Sequence, residues 1–299
     1  MIQAENITKT YNNVKALDGL TLHAGKGSVY GLIGPNGAGK TTLIKQLAGV
    51  CRPDSGEIRI NGVPVFENAT VKNQLFYISD NPYFYPSSSI RNMAKFYAGL
   101  YPSWSWERFE SLKELFGMDT SLRIRQLSKG MRKQAAFWIG IAAQPAVMIL
   151  DEPMDGLDPV IRRSIWKLLM QDVCEKQMTV LVSSHNLREL EDVCDHAGIL
   201  FNGKIVLEKS LDDLKGSVQK IQVAFSEGLP PELENTLDIL RKEQFGTVWN
   251  LIVRSNPARI REIIAAHKPL VCDILPLTLE EVFIYELGGM GYEIENIIL

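Results

Sequence analysis

Apolar and polar positions switch between two spacings along this chain. Ser28–Ile33 is a short apolar run that ends in a glycine-rich turn. Leu43, Ile44, Leu47 and Val50 then recur at helical spacing, so a strand, a turn and a helix follow one another. Arg59–Val65 carries Asn61-Gly62 between two apolar triplets, the pattern of a hairpin with a two-residue turn. Asn202-Gly203 repeats the device between Gly198–Phe201 and Ile205–Leu207. From Lys133 to Ser183 the order is helix, strand, helix, strand. Val147–Leu150 and Val180–Ser183 are the strand-like runs. Between them, Val160, Ile161, Ile165, Leu168, Leu169 and Val173 share one face of a helix with Pro159 in its first turn. Alternating βα units imply a largely parallel sheet.

Two stretches differ. Pro82–Met118 is rich in aromatics, among them Tyr83, Phe84, Tyr85, Phe96, Tyr97, Trp104, Trp106, Phe109 and Phe116, and its later part has helical character. It reads as a helical insertion, over about residues 82–132, whose aromatics are mainly core, with exposed ones open to docking. Around Gly216 the character changes again. Ile221–Phe225 and Val248–Arg254 read as strands, and Glu232–Glu243 and Pro257–His267 as helices. The expected division is therefore 1–215 and 216–299, the second part a small α+β domain.

Gly34-Pro35-Asn36-Gly37-Ala38-Gly39-Lys40-Thr41 fits G-x-x-x-x-G-K-[ST] between an expected strand and an expected helix. Its glycines let the backbone turn several N–H groups toward phosphate oxygens, and the helix N-terminus adds partial positive charge. Lys40 is placed to reach the β- and γ-phosphates, and Thr41, followed by Thr42, to ligate Mg²⁺. Val147–Glu152 is an apolar strand that ends in two carboxylates. Alone, such a pair reads equally as solvated acids at a strand end or as functional carboxylates. With a phosphate loop upstream, Asp151 reads as a Mg²⁺ ligand and Glu152 as the group that orients and deprotonates water.

These motifs resemble the ATP-binding-cassette (ABC) ATPases, over about residues 1–215. The resemblance implies an α/β P-loop cassette with a mixed sheet and a helical insertion, followed here by the small C-terminal α+β domain. It implies ATP and Mg²⁺ as ligands. Tyr11 matches the aromatic that stacks on adenine. Leu127-Ser128-Lys129-Gly130-Met131 resembles the family signature Leu-Ser-Gly-Gly-Gln, keeping Ser128 and Gly130 but departing at Lys129 and Met131. Asp155-Gly156-Leu157-Asp158 resembles the D-loop, where Asp158 shapes the paired site and also suits a helix N-cap. Ser183-Ser184-His185 matches the switch histidine, which implies a bond from His185 to the γ-phosphate. Tyr77-Ile78-Ser79-Asp80 falls where the family has Gln or Glu. Asp80 is one methylene shorter than Glu, and is expected to reach a Mg²⁺-bound water.

In this family the phosphate loop of one subunit faces the signature of another. One copy of each implies dimerisation around ATP, with itself or with a sister cassette. It also implies separate membrane-spanning permease subunits and a peripheral place on the cytoplasmic face of the cell membrane. Leu127–Gln134 and Pro276–Phe283 resemble the exporter branch, and the nearest likeness is to cassettes of Gram-positive antibiotic-response exporters.

Composition narrows the alternatives. The chain has 299 residues, 45% of them hydrophobic, which excludes a mainly disordered chain. Net charge is 32 − 35 = −3, so no global field favours nucleic acid. The longest uncharged apolar run, Ala135–Ala143, has nine residues, where a membrane span needs about 20. No signal-peptide pattern is visible at Met1–Glu5. Four widely spaced cysteines read as reduced thiols rather than a metal site or disulfide framework. Soluble translation-type cassettes carry two phosphate loops, and chromosome-type ones a long coiled coil. Neither feature is present. A weakly hydrolytic cassette acting as a nucleotide-dependent switch remains the alternative, carried by Asp80, Lys129 and Met131. The tail holds no motif with chemistry and reads as a packing or dimer-supporting domain, with a regulatory ligand site as the alternative.

Overall fold

The computed structural model describes residues 1–275 and 277–289. They fall into two compact units, Met1–Asn186 with Val193–Glu208, and Leu187–Asp192 with Lys209 onward. No helix among the described residues is long and apolar enough to cross a membrane.

The first unit opens with strands β1 (Ile2–Tyr11) and β2 (Val14–Ala24), paired antiparallel. β3 (Val29–Ile33) runs through the phosphate loop into α1 (Lys40–Leu47). β4 (Ser55–Ile60) and β5 (Val63–Pro64) form the expected hairpin. At its turn Asn61 and Gly62 both have positive φ, 53° and 77°, as the tight turn requires. These strands make one sheet in the order β2-β1-β4-β5. After α2 (Ala69–Lys72) and β6 (Leu75–Ile78) come α3 (Ile90–Ala98), α4 (Trp106–Ser111), α5 (Lys113–Phe116) and α6 (Lys129–Ala142). Then follow β7 (Val147–Asp151), α7 (Pro159–Lys176), β8 (Thr179–Ser184), β9 (His196–Phe201) and β10 (Lys204–Ser210). The second sheet has the order β10-β9-β3-β8-β7-β6. Its pairs β6·β7, β7·β8, β3·β8 and β3·β9 are parallel, as the βα alternation implies.

Helix α1 joins the two sheets into one core. Its Leu43, Ile44 and Leu47 are fully buried in a cluster with Ile2, Leu20, Tyr30, Leu32 and Ile149. Each such side chain contributes roughly 1.5–3 kcal/mol. This packing fixes the start of α1, and with it the phosphate loop, against the tips of β3 and β7. In the helical insertion Phe84, Phe109 and Phe116 are buried. Phe109 stacks on Trp138 of α6 at 4.8 Å, and Trp138 donates its indole N–H to the Phe109 carbonyl at 2.7 Å. Tyr83, Tyr85, Phe96 and Trp106 are exposed.

The second unit contains α8 (Leu187–Glu191), α9 (Leu211–Ser217), β11 (Gln219–Ala224), α10 (Pro231–Thr236), β12 (Ile239–Phe245), β13 (Val248–Val253), α11 (Pro257–Ala266), β14 (Val271–Leu275) and α12 (Leu279–Gly289). Its antiparallel sheet has the order β12-β13-β11-β14. Leu233, Ile260 and Ile264 pack with Ile221, Val223, Leu251 and Val253 in its core. The helix expected over Glu232–Glu243 stops at Thr236, and Ile239–Phe245 is a strand. Gly246, at φ 62°, turns the chain so that this segment pairs with β13, and cross-strand bonding overrides a helical apolar spacing. Of the Pro276–Phe283 resemblance, Pro276 lies outside the described residues, and Leu279 begins α12.

Candidate functional site

The phosphate loop closes one side of a cavity of about 430 Å³. Pro35, Asn36, Gly37, Gly39, Lys40, Thr41 and Thr42 line that side, and Gly34 and Ala38 complete the loop. Gly39 sits at φ 111°, and a Cβ there would lie 2.5 Å from the Ala16 carbonyl oxygen. Only glycine fits this position. No side chain caps α1, so its first-turn N–H groups face the cavity end without a side-chain acceptor.

Lys40 is buried, and its Nζ donates to the carbonyls of Gly34 at 2.6 Å and Pro35 at 3.2 Å. It also stands 3.4 Å from Glu152 Oε1. The tips of β7 and β8 supply the opposite wall. Asp151 is buried, and its Oδ1 accepts from Ser183 Oγ at 2.8 Å. Burial pushes the Asp151 carboxyl up from its ordinary value, against hydrogen bonds from Ser183 and Thr41. Glu152 has φ 45°, and its N–H donates to Ser183 Oγ at 3.1 Å. Its Oε2 lies 2.9 Å from His185 Nδ1. Asp155, which the sequence reading did not single out as a site residue, joins Glu152 and His185 on this wall. Ligand atoms of the three lie within 4.8 Å of one another.

Asp80, in the loop after β6, also lines the cavity. Its Oδ1 accepts from Lys129 at 3.2 Å and from Lys133 at 3.1 Å. The contact it makes is therefore with two ammonium groups of α6. Partial burial pushes its carboxyl up, but these two hydrogen bonds outweigh that and hold it below its ordinary value.

The remaining expected residues stand elsewhere. Tyr11 ends β1 half-exposed, with Lys9 Nζ 5.5 Å from its ring centre. Ser128 is the N-cap of α6, accepting from Met131 N–H at 3.2 Å. A Cβ on Gly130 would lie 2.7 Å from the Gly156 carbonyl oxygen, so a close backbone approach within the chain already requires glycine there. Asp158 caps α7, accepting from Val160 and Ile161 N–H at 3.1 and 3.0 Å. None of these four lines the cavity. The wall combines a polar backbone cradle and a carboxylate–imidazole pair, and the buried Asp151 carboxylate connects to it through the Thr41 hydroxyl. That set can hold a phosphate chain with a hard divalent cation and orient a water beside it.

Comparison with known proteins agrees with this chemistry. The family model described as ABC transporter matches residues 17–155. The ABC transporter ATP-binding protein YtrB of Bacillus subtilis (strain 168) is 30% identical over 290 residues, covering 97% of this chain and 99% of that protein. The bacitracin transport ATP-binding protein BcrA of Bacillus licheniformis is 32% identical, covering 72% of this chain and 71% of its own length. A solved ATP-binding subunit of an ABC transporter superposes with a TM-score of 0.67 at 28% identity, covering 72% of this chain and 92% of that one. The dimeric cassette MJ0796, in a post-hydrolysis state bound to ADP and Pi, gives 0.64 at 21% identity, over 71% of this chain and 99% of that one. At that identity the likeness speaks to the fold.

Proposed function

Because the chain belongs to the ATP-binding cassettes of ABC transporters, we propose that it binds ATP in this cavity and hydrolyses it to drive an exporter. The observation that carries the reading is the convergence of Lys40, Glu152 and His185 on one glycine-rich loop, with the buried Asp151 hydrogen-bonded to Thr41 at the end of that loop. The loop N–H groups and Lys40 bind the phosphate chain, with Lys40 exchanging its carbonyl acceptors for phosphate oxygens. Thr41 and Asp151 fit a Mg²⁺ ion. A buried carboxylate whose proton affinity is raised by desolvation, hydrogen-bonded to a hydroxyl, is a hard oxygen donor pair in want of a cation. When bound, Mg²⁺ supplies charge neutralisation on the phosphate oxygens. Glu152 orients the attacking water and accepts its proton, while His185 holds the Glu152 carboxylate and reaches the γ-phosphate.

Ser128, Gly130 and Asp158 lie off the cavity wall, which supports a site completed by a second cassette, from a second copy or a sister subunit. The dimer of MJ0796 supports the same arrangement at the level of the fold. Tyr11 would stack on adenine. Separate permeases would supply the membrane path, placing this subunit on the cytoplasmic face. The name of the bacitracin transport relative supports export of an antibiotic-class compound.

The test is ATP-dependent dimerisation. Glu152→Gln should bind Mg²⁺·ATP and shift from monomer to dimer in light scattering. A variant that binds ATP and stays monomeric, with or without sister cassettes, removes the paired site. The weakly hydrolytic switch is favoured by the two lysines on Asp80. It predicts nucleotide binding with little turnover even in the presence of permeases.

A further inference from the structure

Asp80, Lys129 and Lys133 form a charged cluster beside the groups proposed to carry hydrolysis. Lys129 and Lys133 stand one turn apart on α6 and share Asp80 Oδ1. Lys133 is fully buried, side chain included. Burying an ammonium group is costly unless it is paired with a counter-charge and hydrogen-bonded. Its second acceptor is the backbone carbonyl oxygen of Glu152, at 2.7 Å.

That carbonyl belongs to an unusual residue. Glu152 lies in the left-handed region at φ 45°, where a non-glycine residue persists only if its surroundings hold it. Two bonds do so. Ser183 Oγ accepts from its N–H at 3.1 Å, and Lys133 Nζ donates to its carbonyl oxygen at 2.7 Å. With the peptides on both sides of its Cα fixed, the direction of the Glu152 side chain is fixed too. It points the carboxylate at Lys40 and His185.

We propose that Lys133 is a positioning residue for Glu152, and that Asp80 acts by holding Lys133 rather than by reaching a metal-bound water. The inference rests on the reading of Glu152 as the group that orients water. It ties three separate segments together: the loop after β6, the signature helix and the tip of β7. A displacement of Asp80 is thereby transmitted to Glu152 through one lysine. Lys129 adds a second, more exposed counter-charge to the same oxygen.

Two measurements on the 299-residue chain decide it. In steady-state hydrolysis, Lys133→Met should lower kcat roughly ten- to a hundred-fold, the scale of a misplaced catalytic group. KM for ATP should stay within about twofold, since ground-state binding is untouched. Lys133→Arg should recover part of the loss. Asp80→Asn should lower kcat less, with an unchanged Mg²⁺ concentration for half-maximal rate. In hydrogen exchange of the nucleotide-free protein, Lys133→Met should speed exchange at Glu152 and Met154 about fivefold or more, the scale of one lost hydrogen bond. An unchanged kcat, a KM that rises in step with the loss, or unchanged exchange overturns the proposal. So does a raised Mg²⁺ requirement in Asp80→Asn. A wild-type chain without hydrolysis would sink the ATPase reading, while the exchange measurement still decides the positioning role. Should Lys133→Met fail to fold, Lys133→Arg and Asp80→Asn carry the same exchange comparison.

Discussion

Ser183→Ala is the most informative single perturbation of the scaffold under the site. The Ser183 side chain is fully buried, and its one hydroxyl makes two bonds. It donates to Asp151 Oδ1 at 2.8 Å and accepts the Glu152 N–H at 3.1 Å. A hydrogen bond to a charged group contributes about 1.5–3 kcal/mol, and an N–H left unpartnered costs about 1–3 kcal/mol. The two terms share one atom and do not simply add, and Glu152 is only partly buried, so the expected loss is about 2–4 kcal/mol. Urea denaturation followed by tryptophan fluorescence reads it. Four of the five tryptophans, at 104, 106, 138 and 166, lie in the first unit. A loss under about 0.5 kcal/mol would refute the claim that this hydroxyl holds the two carboxylate residues in place. The same variant should bind Mg²⁺·ATP more weakly, because Asp151 loses a donor that favours its charged form.

Two further outcomes follow from the same geometry. Gly39→Ala should abolish ATP binding, read by a fluorescent ATP analogue, because its φ of 111° and the 2.5 Å approach to the Ala16 carbonyl force the loop to move. Normal binding by a folded Gly39→Ala chain would show the loop to be tolerant. Asp151 gives a pH dependence. Its carboxyl sits above its ordinary value in the folded nucleotide-free protein, so over the window just above that ordinary value the folded state binds more protons than the unfolded one. Its contribution to stability is therefore full below the window and lost as pH rises through it. Asp151→Asn should flatten that part of the stability profile, and an unchanged slope would remove Asp151 as its source.

Features set by neighbours in sequence were legible before the structure. The two Asn-Gly turns, Pro159 in the first turn of α7, the Asp158 cap and the strand–loop–helix around Lys40 depend on a few adjacent residues. Features set by partners far along the chain were not. Asp80 meets its two lysines across 49 and 53 residues, and no local pattern marks Lys133 as buried rather than solvated. Asp155 falls into the same class. Its motif was visible, but its place on the cavity wall depends on how the segment after β7 folds back. In the second unit, Leu233, Leu237 and Leu240 share a helical spacing, yet pairing with β13 turns Ile239–Phe245 into a strand. Gly130 shows the converse. A family motif supplies one reason for glycine there, and the close Gly156 carbonyl supplies a second that involves no nucleotide.

The central claim is that Glu152 carries hydrolysis in a cavity built to hold ATP. Single-turnover release of phosphate, measured together with ATP binding on wild type and Glu152→Gln, tests it most directly. The account predicts equal ATP affinity and a hydrolysis rate lowered at least about a hundred-fold in Glu152→Gln, the scale expected when a general base is removed. Release at the wild-type rate by Glu152→Gln would contradict it.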